Sequence, residues 1–132
     1  MAEVYLPFRS GTHRWLLRYA RWNPDLDGLR VHDDGRVVVT MGRRIMTAGV
    51  DNITAMEAVE LRSAIRSMGV RRGPFSADLI MATDLGPAQR LVFLEPVRPA
   101  LGPRRHSSVT VTLEDPHDLL PAIVAVQRDL GL

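Results

Sequence analysis

Apolar and polar residues alternate with the period of a β-strand along much of this chain. The clearest case is 108–113, where every second residue is valine or leucine. Other short apolar runs are bounded by glycine, proline or acidic residues, which are typical of turns. These runs lie at 4–9, 29–32, 36–41, 44–48, 52–59, 76–83 and 89–95. The pattern therefore predicts a protein built mainly from short strands.

Turn sequences predict that neighbouring strands pair as hairpins. Asp-Asp-Gly at 33–35 separates 29–32 from 36–41, and Asp-Gly is favoured in tight hairpins because glycine accepts a positive φ. The turn sequence at 84–87 predicts a second hairpin from the two strands that flank it. Pro7 suits an edge strand, because proline has no N–H to donate to a neighbour.

The C-terminal segment has the period of a helix. Asp115 suits the N-cap and Pro116 the first helical position. One broad apolar stripe is formed by Leu119, Leu120, Ile123, Val124, Val126 and Leu130. Pro121 is unfavourable inside a helix because it removes a backbone donor. A short first turn or a kink at Pro121 would accommodate it.

A further helix is predicted at 60–68. Leu61, Ile65 and Met68 have helical spacing there, and Gly69 stands where a helix C-cap falls. No internal repeat follows from these elements. Helices do not alternate with strands, so a parallel doubly wound fold is not expected.

These elements predict one α+β, mainly β domain over residues 1–132. Its antiparallel, strongly bent sheet or small barrel is closed by the C-terminal helix. A helix-grip, lipid-transfer-like fold is the alternative, with a long sheet wrapped around that helix and a hydrophobic cavity of roughly 300 Å³ or more. Residues 13–22 would then form an early helix.

Composition excludes several kinds of chemistry. The absence of cysteine rules out disulfides and thiolate metal sites, and the four histidines lack metal-ligand spacing. We therefore expect no metal and no cofactor. All 17 basic residues are arginine, yet the net charge is only +2, so no nucleic-acid partner is expected. No apolar run approaches the roughly 20 residues of a membrane span. A cytoplasmic location is expected.

Two sequence stretches together resemble a group of uncharacterised actinobacterial proteins. One covers most of 29–59, with the Asp-Asp-Gly turn and Asp51-Asn52-Ile53. The other covers most of 90–126, with Phe-Leu-Glu-Pro-Val at 93–97 and His-Ser-Ser-Val-Thr-Val-Thr-Leu-Glu-Asp-Pro at 106–116. The outline is similar to bacterial pleckstrin-homology-like domains. The resemblance implies a barrel plugged by a C-terminal helix, and it implies no activity. Residues 60–88 carry no motif of the group.

The loop after the 89–95 strand is the first candidate site. It brings together Arg98, Arg104, Arg105 and His106. Arginine forks and a histidine are suited to holding a phosphate or carboxylate. The proline and glycine residues of this loop equally suit a plain solvated connector. The sequence leaves both interpretations open.

An arginine–aromatic segment at 13–22 is the second candidate. In a helix, Trp15, Tyr19 and Trp22 form one stripe, while Arg14 and Arg18 lie on another. Such a surface is typical of a partner, membrane or nucleic-acid contact. The favoured interpretation is simpler: the aromatic residues pack on the sheet and the arginines are solvated.

No catalytic motif occurs in the chain. Ser107 and Ser108 follow His106 directly, but adjacent strand residues point to opposite faces. We therefore expect a non-enzymatic binding or interaction domain for an anionic small molecule, a lipid or a protein partner. One alternative is a hydrophobic-ligand-binding helix-grip protein. Another is a homodimer paired through an exposed edge such as 4–9.

Overall fold

The computed structural model describes residues 3–10, 22–62, 69–72, 78–101 and 104–132. The strands are Val4–Pro7 (β1), Gly28–Val31 (β2), Arg36–Met41 (β3), Arg44–Gly49 (β4), Ile53–Leu61 (β5), Gly69–Arg72 (β6), Asp78–Ala82 (β7), Gly86–Val97 (β8) and His106–Val111 (β9). Short 3-10 turns cover Val50–Asn52 and Pro116–Asp118, and the C-terminal helix α1 covers Leu119–Asp129. The prediction of a mainly β protein with one C-terminal helix is confirmed.

The first sheet is an antiparallel meander in the order β1-β2-β3-β4. The predicted hairpin at 33–35 is confirmed, with Val31 opposite Val37. Gly35 in that turn has a φ of 97°, a conformation that only glycine adopts without strain. Pro7 lies in β1 at the edge of this sheet, where a missing N–H is tolerated.

The second sheet has the order β5-β8-β9-β7-β6. Strand β9 lies between β7 and β8 and runs parallel to β7. The predicted hairpin around 84–87 is therefore wrong. Residues 83–85 carry the chain past the end of β9, where the Thr83 N–H donates to Thr112 Oγ1 at 2.9 Å. The alternating pattern identifies strands correctly, but it does not record which strand each one pairs with.

Strand β5 extends further than the sequence predicts. Glu60 lies opposite Pro87 and Leu61 opposite Gly86 in the β5–β8 ladder. The prediction that a helix begins at residue 60 is therefore wrong. These cross-strand contacts outweigh the helical spacing of a few apolar residues. The remainder of that predicted helix, 63–68, lies outside the described residues.

A single cluster of buried apolar side chains contacts both sheets and the helix. Its largest fully buried members are Leu29, Met41, Met46, Leu79, Met81, Leu91, Leu113 and Leu119. The face of α1 that enters the cluster consists of Leu119, Ala122, Ile123 and Val126. Leu120 and Leu130 are 50% and 47% exposed, so the predicted apolar stripe was too broad. Pro121 lies in the first turn of α1, which confirms the short-turn solution.

The two sheets meet at one corner. Phe8, directly after β1, forms an antiparallel bridge with Leu113, beyond the end of β9. The Arg9 N–H donates to the Thr112 carbonyl and the Glu114 N–H donates to the Pro7 carbonyl, each at 2.9 Å. In the described residues the strands form two separate sheets rather than one closed sheet. Phe8 is only 4% exposed, so this edge does not offer it to a second copy.

Candidate functional site

Exposed arginines gather around the loop that joins β8 to β9, and we name this surface the arginine end. Its members are Arg43, Arg44, Arg98, Arg104 and Arg105. Arg44 begins β4, and its Nη1 donates to the Ala100 carbonyl at 3.1 Å. This bond places the turn between β3 and β4 beside the loop. The structure thus adds two arginines from a distant part of the sequence to the three that the loop itself carries.

The strand register puts two of these arginines at the positions directly beyond the last paired residues of β8 and β9. Val97 of β8 is paired with His106 of β9, and the next positions outward from that pair are Arg98 and Arg105. Val97 and His106 are buried, whereas both arginines are exposed, as alternation along a strand requires. Like charges placed directly opposite each other repel. An anion between the two guanidinium groups would relieve this repulsion.

The turn that carries Arg43 and Arg44 is held by a buried carboxylate. Asp27 Oδ2 accepts the Gly42 N–H at 2.8 Å and the Asn23 N–H, also at 2.8 Å. Asp27 is 6% exposed, so its charge is directed at backbone donors and not at the arginine side chains. This arrangement fixes the position of the turn, and its two arginines form no ion pair with the described acids.

His106 is placed differently from the three arginines with which the sequence groups it. It begins β9 and is 0% exposed. Its Nε2 accepts the backbone N–H of Ala100 at 3.0 Å and that of Leu101 at 3.4 Å. Pairing with Val97 turns the imidazole towards the core, and the ring therefore supports the loop from within. The arginines occupy the outer side of the same loop.

No ion pair reaches the arginine end from the described residues. Four arginines elsewhere do have acidic partners: Arg9–Asp84 at 2.7 Å, Arg30–Glu3 at 3.1 Å, Arg36–Asp34 at 2.8 Å and Arg90–Asp78 at 3.6 Å. The nearest acid along β8 is Glu95, whose backbone is bonded to the Asn52 side chain. Several cations thus gather at the arginine end with no ion pair to an acid among the described residues.

A second set of polar residues lies on the second sheet, and we name it the Asp78 cluster. Asp78, 4% exposed at the start of β7, accepts from Ser108 Oγ at 2.6 Å and from Thr110 Oγ1 at 3.1 Å. Arg90 of β8 lies 3.6 Å from Asp78 and 3.6 Å from Glu57 of β5. Four strands are therefore joined through one network of charges and hydroxyl groups.

The Asp78 cluster was missed by the sequence reasoning. Its members are scattered along the chain, and the polar positions of 108–113 look like the solvent side of a half-buried strand. The only available signal is the single acid at the start of the strand-like run 76–83. The Ser108 hydroxyl donates to a carboxylate and has no imidazole beside it among the described contacts. Its geometry is that of a strand-joining network and not of an activated nucleophile.

The arginine–aromatic segment is described only at its last residue. Trp22 is half-buried and packs against the main apolar cluster, in line with the interpretation that the aromatic residues belong to the core. Arg14, Trp15, Arg18 and Tyr19 lie outside the described residues. The proposed interface at these four positions stays a prediction.

Two features of the described residues bear on metal ions and membranes. No group of three or more histidine or acidic side chains has a metal-binding arrangement there. No helix in the described ranges is long and apolar enough to cross a membrane. Comparisons of the chain with protein-family models, curated proteins and solved structures find no match. The function is therefore inferred from the geometry of the two polar regions.

Proposed function

We propose that this protein is a non-enzymatic binding domain whose arginine end holds an anionic group of a small molecule or partner. The observation that carries the proposal is the position of Arg98 and Arg105 directly beyond the Val97–His106 pair, with no acidic partner among the described residues. Arg44, bonded to the loop at Ala100, supports the same surface.

Arginine chemistry suits this role. Each guanidinium presents several N–H donors in a planar fork that matches the oxygens of phosphate or carboxylate. Two forks facing each other engage a tetrahedral anion from two sides, which a single carboxylate with one plane of oxygens matches less well. We therefore place phosphate-like groups ahead of carboxylates as ligands. Because the arginines are exposed, added salt should weaken the interaction.

We further propose a pleckstrin-homology-like arrangement for the fold. The four-stranded meander, the corner at Phe8 and Leu113, and the packing of α1 into a core shared by both sheets support it. The parallel pairing of β7 with β9 departs from a purely antiparallel plan. A helix-grip fold that binds a hydrophobic ligand stays the alternative proposal, and a homodimeric role stays a second one.

Binding of pyrophosphate to the full chain tests the function. The variant Arg98→Ala/Arg105→Ala removes the opposed pair. The variant Arg36→Ala/Arg128→Ala removes the same charge from exposed positions elsewhere, and Arg36 lies at the other end of β3 from the arginine end. At low ionic strength, isothermal titration should show affinity reduced about tenfold or more in the first variant, since charge-assisted bonds are lost.

The control variant should lose less than about threefold, through screened long-range charge alone. Equal losses in both variants would mean that pyrophosphate senses only net charge, and the proposal would be wrong. Absence of any measurable heat or chemical-shift change with the unmodified protein would contradict it as well.

A further inference from the structure

The loop that bears the opposed arginines is held in place by one buried side chain. His106 Nε2 accepts the N–H groups of two consecutive loop residues, Ala100 at 3.0 Å and Leu101 at 3.4 Å. Ala100 also uses its carbonyl, which accepts from Arg44 Nη1. The imidazole therefore lies at the centre of a chain of contacts that runs from β9 through the loop to β4.

This geometry fixes the protonation of one ring nitrogen. A nitrogen that accepts two N–H groups carries no hydrogen of its own, so Nε2 requires the neutral ring. Among the described residues, Arg98 and Arg105 adjoin the Val97–His106 pair in the sequence, and Arg44 donates to the carbonyl of Ala100. Protonating Nε2 would abolish the acceptor and leave the Ala100 and Leu101 donors without their partner.

We propose that neutral His106 is the positioning residue of the anion site, an inference that rests on the proposed function of the arginine end. The ring does not contact the anion. It holds the Ala100–Leu101 turn so that Arg98 and Arg105 stay opposed and Arg44 stays beside them. Protonation of His106 releases the turn, and anion binding weakens as the pH falls.

A direct role for His106 predicts the opposite sign. If the imidazolium were itself a ligand, as a histidine in an arginine-rich loop suggests, acid would add a positive charge and strengthen binding. Arginine keeps its charge throughout the range in which histidine titrates. Sulfate likewise stays doubly charged there. The pH dependence of sulfate binding to this site therefore reports on the histidine and not on the other partners.

The test is an NMR titration of the full chain with sulfate at about pH 7.5 and at the lowest pH at which the chain stays folded, with the protonation of the ring followed by its own NMR signals. His106→Gln keeps an acceptor oxygen near the position of Nε2 but does not titrate. His106→Ala removes the acceptor. We expect sulfate affinity of the unmodified protein to fall about fivefold or more towards the lower pH, from the loss of two hydrogen bonds.

His106→Gln should bind sulfate equally at both pH values, close to the unmodified protein at the higher one. This rescue separates positioning from mere stability, and it keeps the test decisive if His106→Ala does not fold. The backbone amide signals of Ala100 and Leu101, followed without sulfate, should move with pH in the unmodified protein and stay constant in His106→Gln.

The outcomes distinguish the two proposals. Sulfate binding that depends on Arg98 and Arg105 but not on pH would overturn the role of His106 and leave the anion site standing. Stronger binding in acid would overturn it too, because the ring would then act as a ligand. No sulfate binding at either pH, in the unmodified protein, would overturn the anion site itself.

Discussion

The arginine end and the Asp78 cluster are two regions rich in arginine or its partners, and they handle charge in opposite ways. In the Asp78 cluster, Arg90 lies between Asp78 and Glu57 and also donates to Thr110 Oγ1 at 3.3 Å. At the arginine end, five exposed guanidinium groups gather, and the described residues supply no acid to any of them.

The difference separates charges that serve the fold from charges available to a partner. A buried carboxylate is tolerated only when donors surround it, and Asp78 has two hydroxyl groups and a guanidinium. An exposed cation needs no partner inside the protein because water solvates it. Its clustering with other cations nevertheless lowers stability. A cluster of this kind is easier to explain by an external anion than by the needs of folding.

The largest expected effect on the free energy of unfolding comes from replacing Asp78 in the Asp78 cluster. Asp78→Ala removes the acceptor of Ser108 and Thr110 and leaves Arg90 beside Glu57 alone. Losing a buried, hydrogen-bonded carboxylate should lower the free energy of unfolding by about 3 kcal/mol. Urea denaturation measures the change. The exposed Asp129→Ala should change it by less than about 0.5 kcal/mol, and equal effects of the two variants would refute the structural role of the cluster.

A smaller effect on the free energy of unfolding is expected when arginine is replaced by alanine in each of the two regions. Arg90→Ala should lower the free energy of unfolding by about 1–2 kcal/mol, because Asp78 loses its guanidinium partner. Arg98→Ala/Arg105→Ala should raise it by up to about 0.5 kcal/mol at low salt, through relief of like-charge repulsion. Since salt screens exposed charges, this gain should vanish in about 1 M salt. Destabilisation by both changes would show that the arginine end belongs to the fold.

The smallest expected effect concerns an ordinary paired surface arginine. Arg36 Nε donates to Asp34 Oδ2 at 2.8 Å, and with the Arg36 backbone N–H it holds the pKa of Asp34 below its usual value. The pair therefore stabilises the fold above the unfolded-state pKa, and this contribution is lost as the pH falls through the lower folded-state pKa. Arg36→Gln should raise the pKa of Asp34 in a carboxyl NMR titration. Arg128→Gln serves as the control and should leave it unchanged.

Local features of the fold follow well from the sequence. The hairpin at Asp33–Gly35, the extended start of the chain at Pro7 and the turn before α1 depend on neighbouring residues, and the structure contains all three. Pairing between distant strands does not follow. Strand β7 lies beside β9, with Asp78 opposite Ser108 and Ile80 opposite Thr110. No turn sequence predicts such a contact.

The sequence likewise predicts only part of the arginine end. Three of its arginines lie in one loop and were predicted as a group, whereas Arg44 joins them through a contact with Ala100. His106 was grouped with them because it follows Arg105 in the sequence. Its burial depends on pairing with Val97, which extends β9 two residues before the predicted start at 108. The sequence around His106 does not show which strand covers it, so its burial could not be predicted.

The central claim is that the arginines at one end of the molecule, which have no acidic partner among the described residues, form a site for anions. The most direct test follows the Nε–H signals of all arginines by NMR while sulfate is added to the full chain. We predict that the signals of Arg98 and Arg105 shift furthest and saturate together, with Arg44 following, while those of Arg36 and Arg128 change little. Small, linear and equal shifts of every exposed arginine would contradict the account.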